Sequence, residues 1–172
     1  MKKRYAALIF CAIGLLLGSV TSEAKKKPSV TAESAIVMDV QSGAILYEKN
    51  IDKREYPASI TKVMTALVAI ENSSLSETVT YSRNAVTNLE SGASNIEIQP
   101  GEKLSMEDSL YAILLMSANE ACNGVAEHVA GSIDNFVAMM NQKAKELGCT
   151  GTHFANANGL WMSNHYTCLL YT

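Results

Sequence analysis

Two short runs rich in apolar and β-branched residues, Ser34–Val40 and Ala44–Lys49, are joined by Gln41-Ser42-Gly43 and predict a hairpin at a sheet edge. The period then lengthens. From Ser59 to Ile70 apolar residues fall at Ile60, Val63, Met64, Leu67 and Val68, the i, i+3, i+4, i+7, i+8 pattern of a helix. Alanines fill much of the rest, so this helix is expected to be buried nearly all round. Asn72 to Ser76 break it, and residues 78–104 read as loops and short strands with a turn at Gln99-Pro100-Gly101. Ser105-Met106-Glu107-Asp108 has the form of a capping box and opens a helix carrying Leu110, Ile113, Leu114 and Leu115. A helical run over Ala121–Val129 follows the polar triplet Ser117-Ala118-Asn119. A third starts at Ser132, carries Phe136, Val137, Met140 and Leu147, and stops at Gly148.

The N-terminus has a different texture. Lys2-Lys3-Arg4 precede an uncharged run from Tyr5 to Leu17, and Ser22-Glu23-Ala24 set small residues where a signal peptidase reads. A cleaved secretory signal over residues 1–24 is therefore expected, followed by a leader over residues 25–33. A retained membrane anchor is the weaker reading, because Tyr5–Leu17 is only 13 residues and a span needs about 20. A lipid attached at Cys11 is disfavoured by the bulky Phe10 before it. With 172 residues, 48% hydrophobic and 18% charged, the chain is a globular domain. Removing residues 1–24 takes away Lys2, Lys3, Arg4 and Glu23, leaving 11 basic and 16 acidic side chains and a net charge of −5. Nucleic acid is not an expected partner, and Lys25-Lys26-Lys27 read as a solvated leader. Cys122 and Cys149 do not make a disulfide framework, and Cys122 within an apolar helix reads as packing.

One residue stands out chemically. Lys62 is the only charged residue between Glu55 and Glu71, on a helix whose other faces are apolar. Burial disfavours an ammonium, so such a lysine has a lowered pKa or a specific partner. Ser59 lies one helical turn earlier on the same face, and a desolvated amine in reach of a hydroxyl can activate it as a nucleophile. Ser59 also follows Pro57-Ala58 at the helix start, where free N–H groups could stabilise an oxyanion. Taken alone, the spacing is equally that of an N-cap serine with a snorkelling lysine, and that plainer account is preferred. The second feature is Ser117-Ala118-Asn119, whose polar side chains should face something. Alone it reads as a helix-helix joint. His128, His153 and His165 lack metal-ligand spacing and read as structural or loop histidines, and no metal or cofactor is implied.

Together the two features form an ordered set. Tyr56-Pro57-Ala58-Ser59-Ile60-Thr61-Lys62-Val63-Met64-Thr65 resembles the Ser-x-x-Lys segment of the serine D-alanyl-D-alanine carboxypeptidases, the low-molecular-mass penicillin-binding proteins. Ser117-Ala118-Asn119 resembles their Ser-x-Asn motif, continued by Glu120-Ala121-Cys122-Asn123. Ala35-Ile36-Val37-Met38-Asp39 with Gly43, Leu46 and Tyr47 resembles the family's opening hairpin. Thr152-His153-Phe154, Asn158-Gly159-Leu160 and His165-Tyr166-Thr167 resemble its downstream loop.

The resemblance implies an α/β (α+β) fold of the β-lactamase/transpeptidase type, an antiparallel sheet packed with a mainly helical subdomain, over residues 34–167. It implies Ser59 as acylated nucleophile, Lys62 as its base, Ser117 as proton relay and Asn119 as a substrate-binding residue that also orders Lys62. The implied partners are a peptidoglycan stem peptide and β-lactam antibiotics, and the implied location is the cell envelope. The family's third motif, Lys-Thr-Gly or Lys-Ser-Gly, does not occur in residues 1–172 and is expected further on, with a possible C-terminal membrane anchor. Cys168-Leu169-Leu170-Tyr171-Thr172 departs from the polar helix start of the family and equals a translated transposon-adapter sequence, so residues 168–172 are read as a non-native tail of a C-terminally truncated chain. Two rivals remain. A class A β-lactamase needs an added glutamate, but the only acidic residue from Asn141 to Thr172 is Glu146, inside a helix. A binding or sensing domain that acylates without turnover is the other.

Overall fold

The computed structural model describes residues 28–87 and 89–169, so the expected signal segment, Lys25-Lys26-Lys27 and the last three residues lie outside the described residues. The chain divides at Thr31/Ala32. The described part of the first unit is exposed coil. The second unit opens with strands β1 (Ala35–Met38) and β2 (Ile45–Lys49), paired antiparallel from Ala35 opposite Lys49. The turn is built by Asp39, whose carboxylate accepts from the Ser42 N–H at 2.8 Å, and by Gly43 at φ +71°, which closes it without a Cβ clash. A second antiparallel pair, β3 (Thr78–Thr80) and β4 (Lys103–Ser105), brackets a four-residue helix, α2 (Arg83–Val86).

The larger helices are α1 (Thr61–Asn72), α3 (Met106–Met116), α4 (Asn119–Ala130) and α5 (Ile133–Glu146). The expected caps are present. Ser105 accepts from the Asp108 N–H at 3.0 Å, and Ser132 caps α5 by accepting from the Asn135 N–H at 3.1 Å. Helix α4 runs through the core, every residue from Asn119 to Ala126 being buried. Its small residues permit this. At Gly124 an added Cβ would strike the Tyr81 ring, which lies directly on the helix and donates from its hydroxyl to Ser109 at 2.8 Å. Around α4 pack Ala66, Val68 and Ala69 of α1, Ile113 of α3, and Phe136 and Met140 of α5. Cys122 sits in this core as a small apolar side chain with no disulfide.

Helix α1 departs from the periodicity reading. Ile60 and Val63 are 61% and 63% exposed, whereas Thr61, Lys62 and Thr65 are buried. The apolar stripe lines an open groove of about 490 Å³ with Leu67, Leu147 and Phe154, and the polar stripe faces inward. The reason is a loop over residues 153–167 whose backbone carries unpaired acceptors. Thr65 Oγ1 donates to the Ala157 carbonyl at 2.6 Å, Lys62 to that of Asn158 at 2.6 Å, and Thr61 pairs with His165 Nε2 at 2.8 Å. Three polar side chains at i, i+1 and i+4 satisfy a buried backbone segment that leucines could not. His165 is itself held by the Ala155 N–H, which donates to Nδ1 at 3.0 Å, so Nε2 bears the proton and donates to Thr61; burial pushes the imidazole pKa down, consistent with a neutral ring.

Candidate active site

The turn before α1 places the serine. Pro57 starts a short 3-10 turn over Ala58–Ile60, so the α-helix itself begins at Thr61, two residues after the expected start at Ser59, and Ala58 lies in the left-handed region at φ +46°. A non-glycine residue there is strained by about 1–3 kcal/mol and persists only where its surroundings enforce it. The enforcing contact is Gly159, itself at φ +86°, so close to Ala58 that an added Cβ would collide with the Ala58 carbonyl. Asn156 shapes that turn by accepting from the Gly159 N–H at 2.7 Å. Gly159→Ala is therefore expected to lower stability by about 3 kcal/mol, read as a fall in the urea midpoint, and to displace Ser59.

Ser59 is exposed and its side chain caps nothing; Lys62 is 3% exposed and does not snorkel. Neither feature of the plainer reading is present. Lys62 Nζ lies 2.9 Å from Asn119 Oδ1, 2.6 Å from the Asn158 carbonyl and 3.3 Å from Ser59 Oγ. The first two partners can only accept. A neutral amine has two N–H bonds and one lone pair, so with both protons directed to carbonyl oxygens the lone pair is left to face Ser59. Burial holds the Lys62 pKa below its ordinary value, which favours that neutral form.

Ser117 completes the group. It ends α3 in the left-handed region at φ +54°, which turns the chain sharply and starts α4 two residues later, at Asn119 and not at Ala121. Its hydroxyl donates to Ser59 Oγ at 3.0 Å. Asn119 is fixed from its other end, since its Nδ2 donates to the Ser94 carbonyl at 2.8 Å. The four residues expected from the sequence thus meet around one hydroxyl. Three further participants were given no role from the sequence: the Asn158 carbonyl and Gly159, which stood out only as part of the downstream loop, and Ser94. The polar spacing Thr61, Lys62, Thr65 was a readable sign that a buried partner faces this side of α1.

Ser59 opens on a cleft of about 350 Å³ whose walls include Tyr56, Ser94, Asn119, Trp161 and Met162. The larger apolar groove contains neither Ser59 nor Lys62. Glu146 pairs with Lys143 on an exposed face and does not line the cleft. His128 pairs with Glu77 and His153 Nδ1 donates to the Asn164 carbonyl, both away from it. A hydroxyl held between a buried amine and a second hydroxyl at the start of a helical segment is an arrangement compatible with acyl transfer through serine.

Comparison with known proteins agrees with that class. A family profile described as D-alanyl-D-alanine carboxypeptidase matches residues 21–169, and the chain belongs to this family. It is 35% identical over 176 residues to the D-alanyl-D-alanine carboxypeptidase DacF of Bacillus subtilis, covering 96% of this chain and 44% of that protein. Among solved structures it resembles the D-alanyl-D-alanine carboxypeptidase DacD from Francisella tularensis, with a TM-score of 0.78 and 35% identity over 84% of this chain and 36% of that one. It also resembles the Streptomyces K15 DD-transpeptidase, with a TM-score of 0.76 and 28% identity over 85% of this chain and 60% of the other. The chain spans less than half the length of the curated relatives it matches. Its helices and small antiparallel pairs form the corresponding part of the penicillin-binding, transpeptidase-like α+β fold.

Proposed function

We propose that the protein is a serine-type D-alanyl-D-alanine carboxypeptidase of the cell envelope, acting on peptidoglycan stem peptides and acylated by β-lactams. The observation that carries this reading is the Lys62 amine, buried with two acceptor-only partners and facing Ser59 Oγ. In the proposed reaction Ser59 Oγ attacks the penultimate D-alanine carbonyl as its proton passes to Lys62. The Ser59 N–H, in the first turn of the helical segment, is offered to the developing oxyanion. Collapse breaks the peptide bond, and a proton delivered through Ser117 leaves with the amine of the terminal D-alanine. Water then hydrolyses the ester. Asn119 holds both Lys62 and the substrate's peptide carbonyl. Export is part of the reading, supported by the basic, apolar, small-residue order of residues 1–24. The cleft walls contain no cation among the described residues. Binding of the substrate carboxylate is accordingly assigned to the third-motif lysine that the family resemblance implies.

The test is product analysis. The full-length protein, with the third motif present, should release D-alanine from a stem-peptide analogue and hydrolyse penicillin only slowly. Rapid penicillin hydrolysis without D-alanine release would replace this reading by a β-lactamase. Similarity to the K15 DD-transpeptidase supports an amine as a second acyl acceptor, so the same assay with an added amino acceptor should yield some transfer product.

A further inference from the structure

Lys62 is not the only ionisable group buried in this core. Glu120, the residue after Asn119, is 1% exposed. Its Oε1 accepts from the Ile96 N–H at 2.6 Å, while Oε2 has no hydrogen-bond partner among the described residues. A buried carboxylate oxygen without a protein donor is destabilising unless a water or a nearby positive charge compensates it. Lys62 and Glu120 are the buried lysine and the buried carboxylate of the described core, and they form no direct ion pair. They are joined through Asn119, which binds the amine from the first turn of α4 while Glu120 occupies the next position on that turn. We infer that Glu120 is a positioning residue of this site, the buried counter-charge that governs Lys62 without touching it and that ties the wall around Ser94–Ile96 to the start of α4.

Among the described residues, the surroundings leave Glu120 as the candidate for that counter-charge. The other ionisable groups acting on Lys62 or Glu120 are Cys122 on α4 and Tyr81 after β3. Burial pushes the Cys122 thiol and the Tyr81 phenol each up to about 12, so both are uncharged near neutral pH. His165 meets Thr61 and not Lys62, and Asn119 and Asn158 carry no charge. Burial lowers the pKa of Lys62, and Cys122, if ionised, and then Glu120 oppose that change more weakly. The sign follows directly. Removing the negative charge favours the neutral amine and moves its titration to lower pH.

This inference rests on the proposed role of Lys62 as base, but its test does not need the reaction. In protein carrying 13C at the lysine ε-carbons, the Lys62 resonance is followed through a pH titration. Glu120→Gln, which keeps an acceptor for the Ile96 N–H and removes the charge, should lower the Lys62 midpoint by about one pH unit or more. Glu120→Asp, which keeps the charge, should leave it within about half a pH unit. An unmoved midpoint in Glu120→Gln, or equal movement in both variants, overturns the inference. Should Glu120→Gln fail to fold, the unaltered protein decides. The Glu120 carboxyl resonance should show an inflection at the Lys62 midpoint, and its absence overturns the inference. If penicillin labels nothing while the midpoint still moves in Glu120→Gln, the proposed reaction fails and this inference stands.

Discussion

In the full-length protein, Ser59→Ala is expected to abolish covalent labelling by a fluorescent penicillin and to leave the fold in place. The side chain is exposed, caps no helix, and exchanges hydrogen bonds only with Lys62 and Ser117. Removing it takes away two polar contacts at the edge of solvent, a loss of about 1 kcal/mol. The expected result is a far-UV spectrum unchanged from the parent, an unfolding midpoint within a few degrees of it, and no labelled band. The chemical effect should be total because, among the described residues, no other hydroxyl stands beside the amine in the same way. Ser117 Oγ reaches Ser59, not Lys62, and Thr61 and Thr65 spend their hydroxyls on His165 and the Ala157 carbonyl. Labelling that survives in Ser59→Ala would remove Ser59 as nucleophile and with it the proposed reaction.

Lys62→Arg is expected to lower the acylation rate about 10³-fold, the scale of a lost general base. A guanidinium retains positive charge but cannot take a proton at any accessible pH. It is also planar, and its donors cannot reproduce three contacts that converge on one nitrogen from Asn119, Asn158 and Ser59. In the unaltered protein the acylation rate should climb with pH. The reactive form is the neutral amine, which predominates above the Lys62 pKa, and burial places that pKa below the ordinary lysine value. The rising limb should therefore appear well to the acid side of a free lysine and should vanish in Lys62→Arg. Stopped-flow acylation across pH measures both. Normal acylation by Lys62→Arg would make Lys62 structural and place the base elsewhere.

Much of this site could be read before any coordinates. Ser59 and Lys62 share a helical face because three residues make nearly one turn, and a lysine alone among apolar neighbours already signals burial. Ser105 and Ser132 announce helix starts because their hydroxyls compensate N–H groups that every helix leaves unpaired. Polar Ser117 between two helical runs marked a break, and the left-handed conformation at that residue is the physical form of the break. These features depend on neighbours within a few residues.

Periodicity predicted a helix buried nearly all round, and the described residues, less than half the length of the matched relatives, leave one face of it open. The Ile60-Val63-Leu67 stripe of α1 looks like a core face, yet it lines an open groove, while Thr61, Lys62 and Thr65 are the buried side. Hydrophobic periodicity measures which residues can be buried, not whether a distant loop will bring backbone carbonyls that demand polar partners. The same limit hides the Asn158 carbonyl, since every residue carries a carbonyl and only the turn shaped by Asn156 and Gly159 aims this one at Lys62. It hides the closeness of Gly159 to Ala58, a contact between residues far apart in the chain that meets the strained residue before Ser59. The sequence by itself determined the local elements, their caps and the pairing of Ser59 with Lys62, because these follow from interactions within one or two turns. Only the tertiary structure decided the inward face of α1, the two acceptors that orient the amine and the burial of Glu120 nearby, because each depends on contacts between segments far apart in the chain.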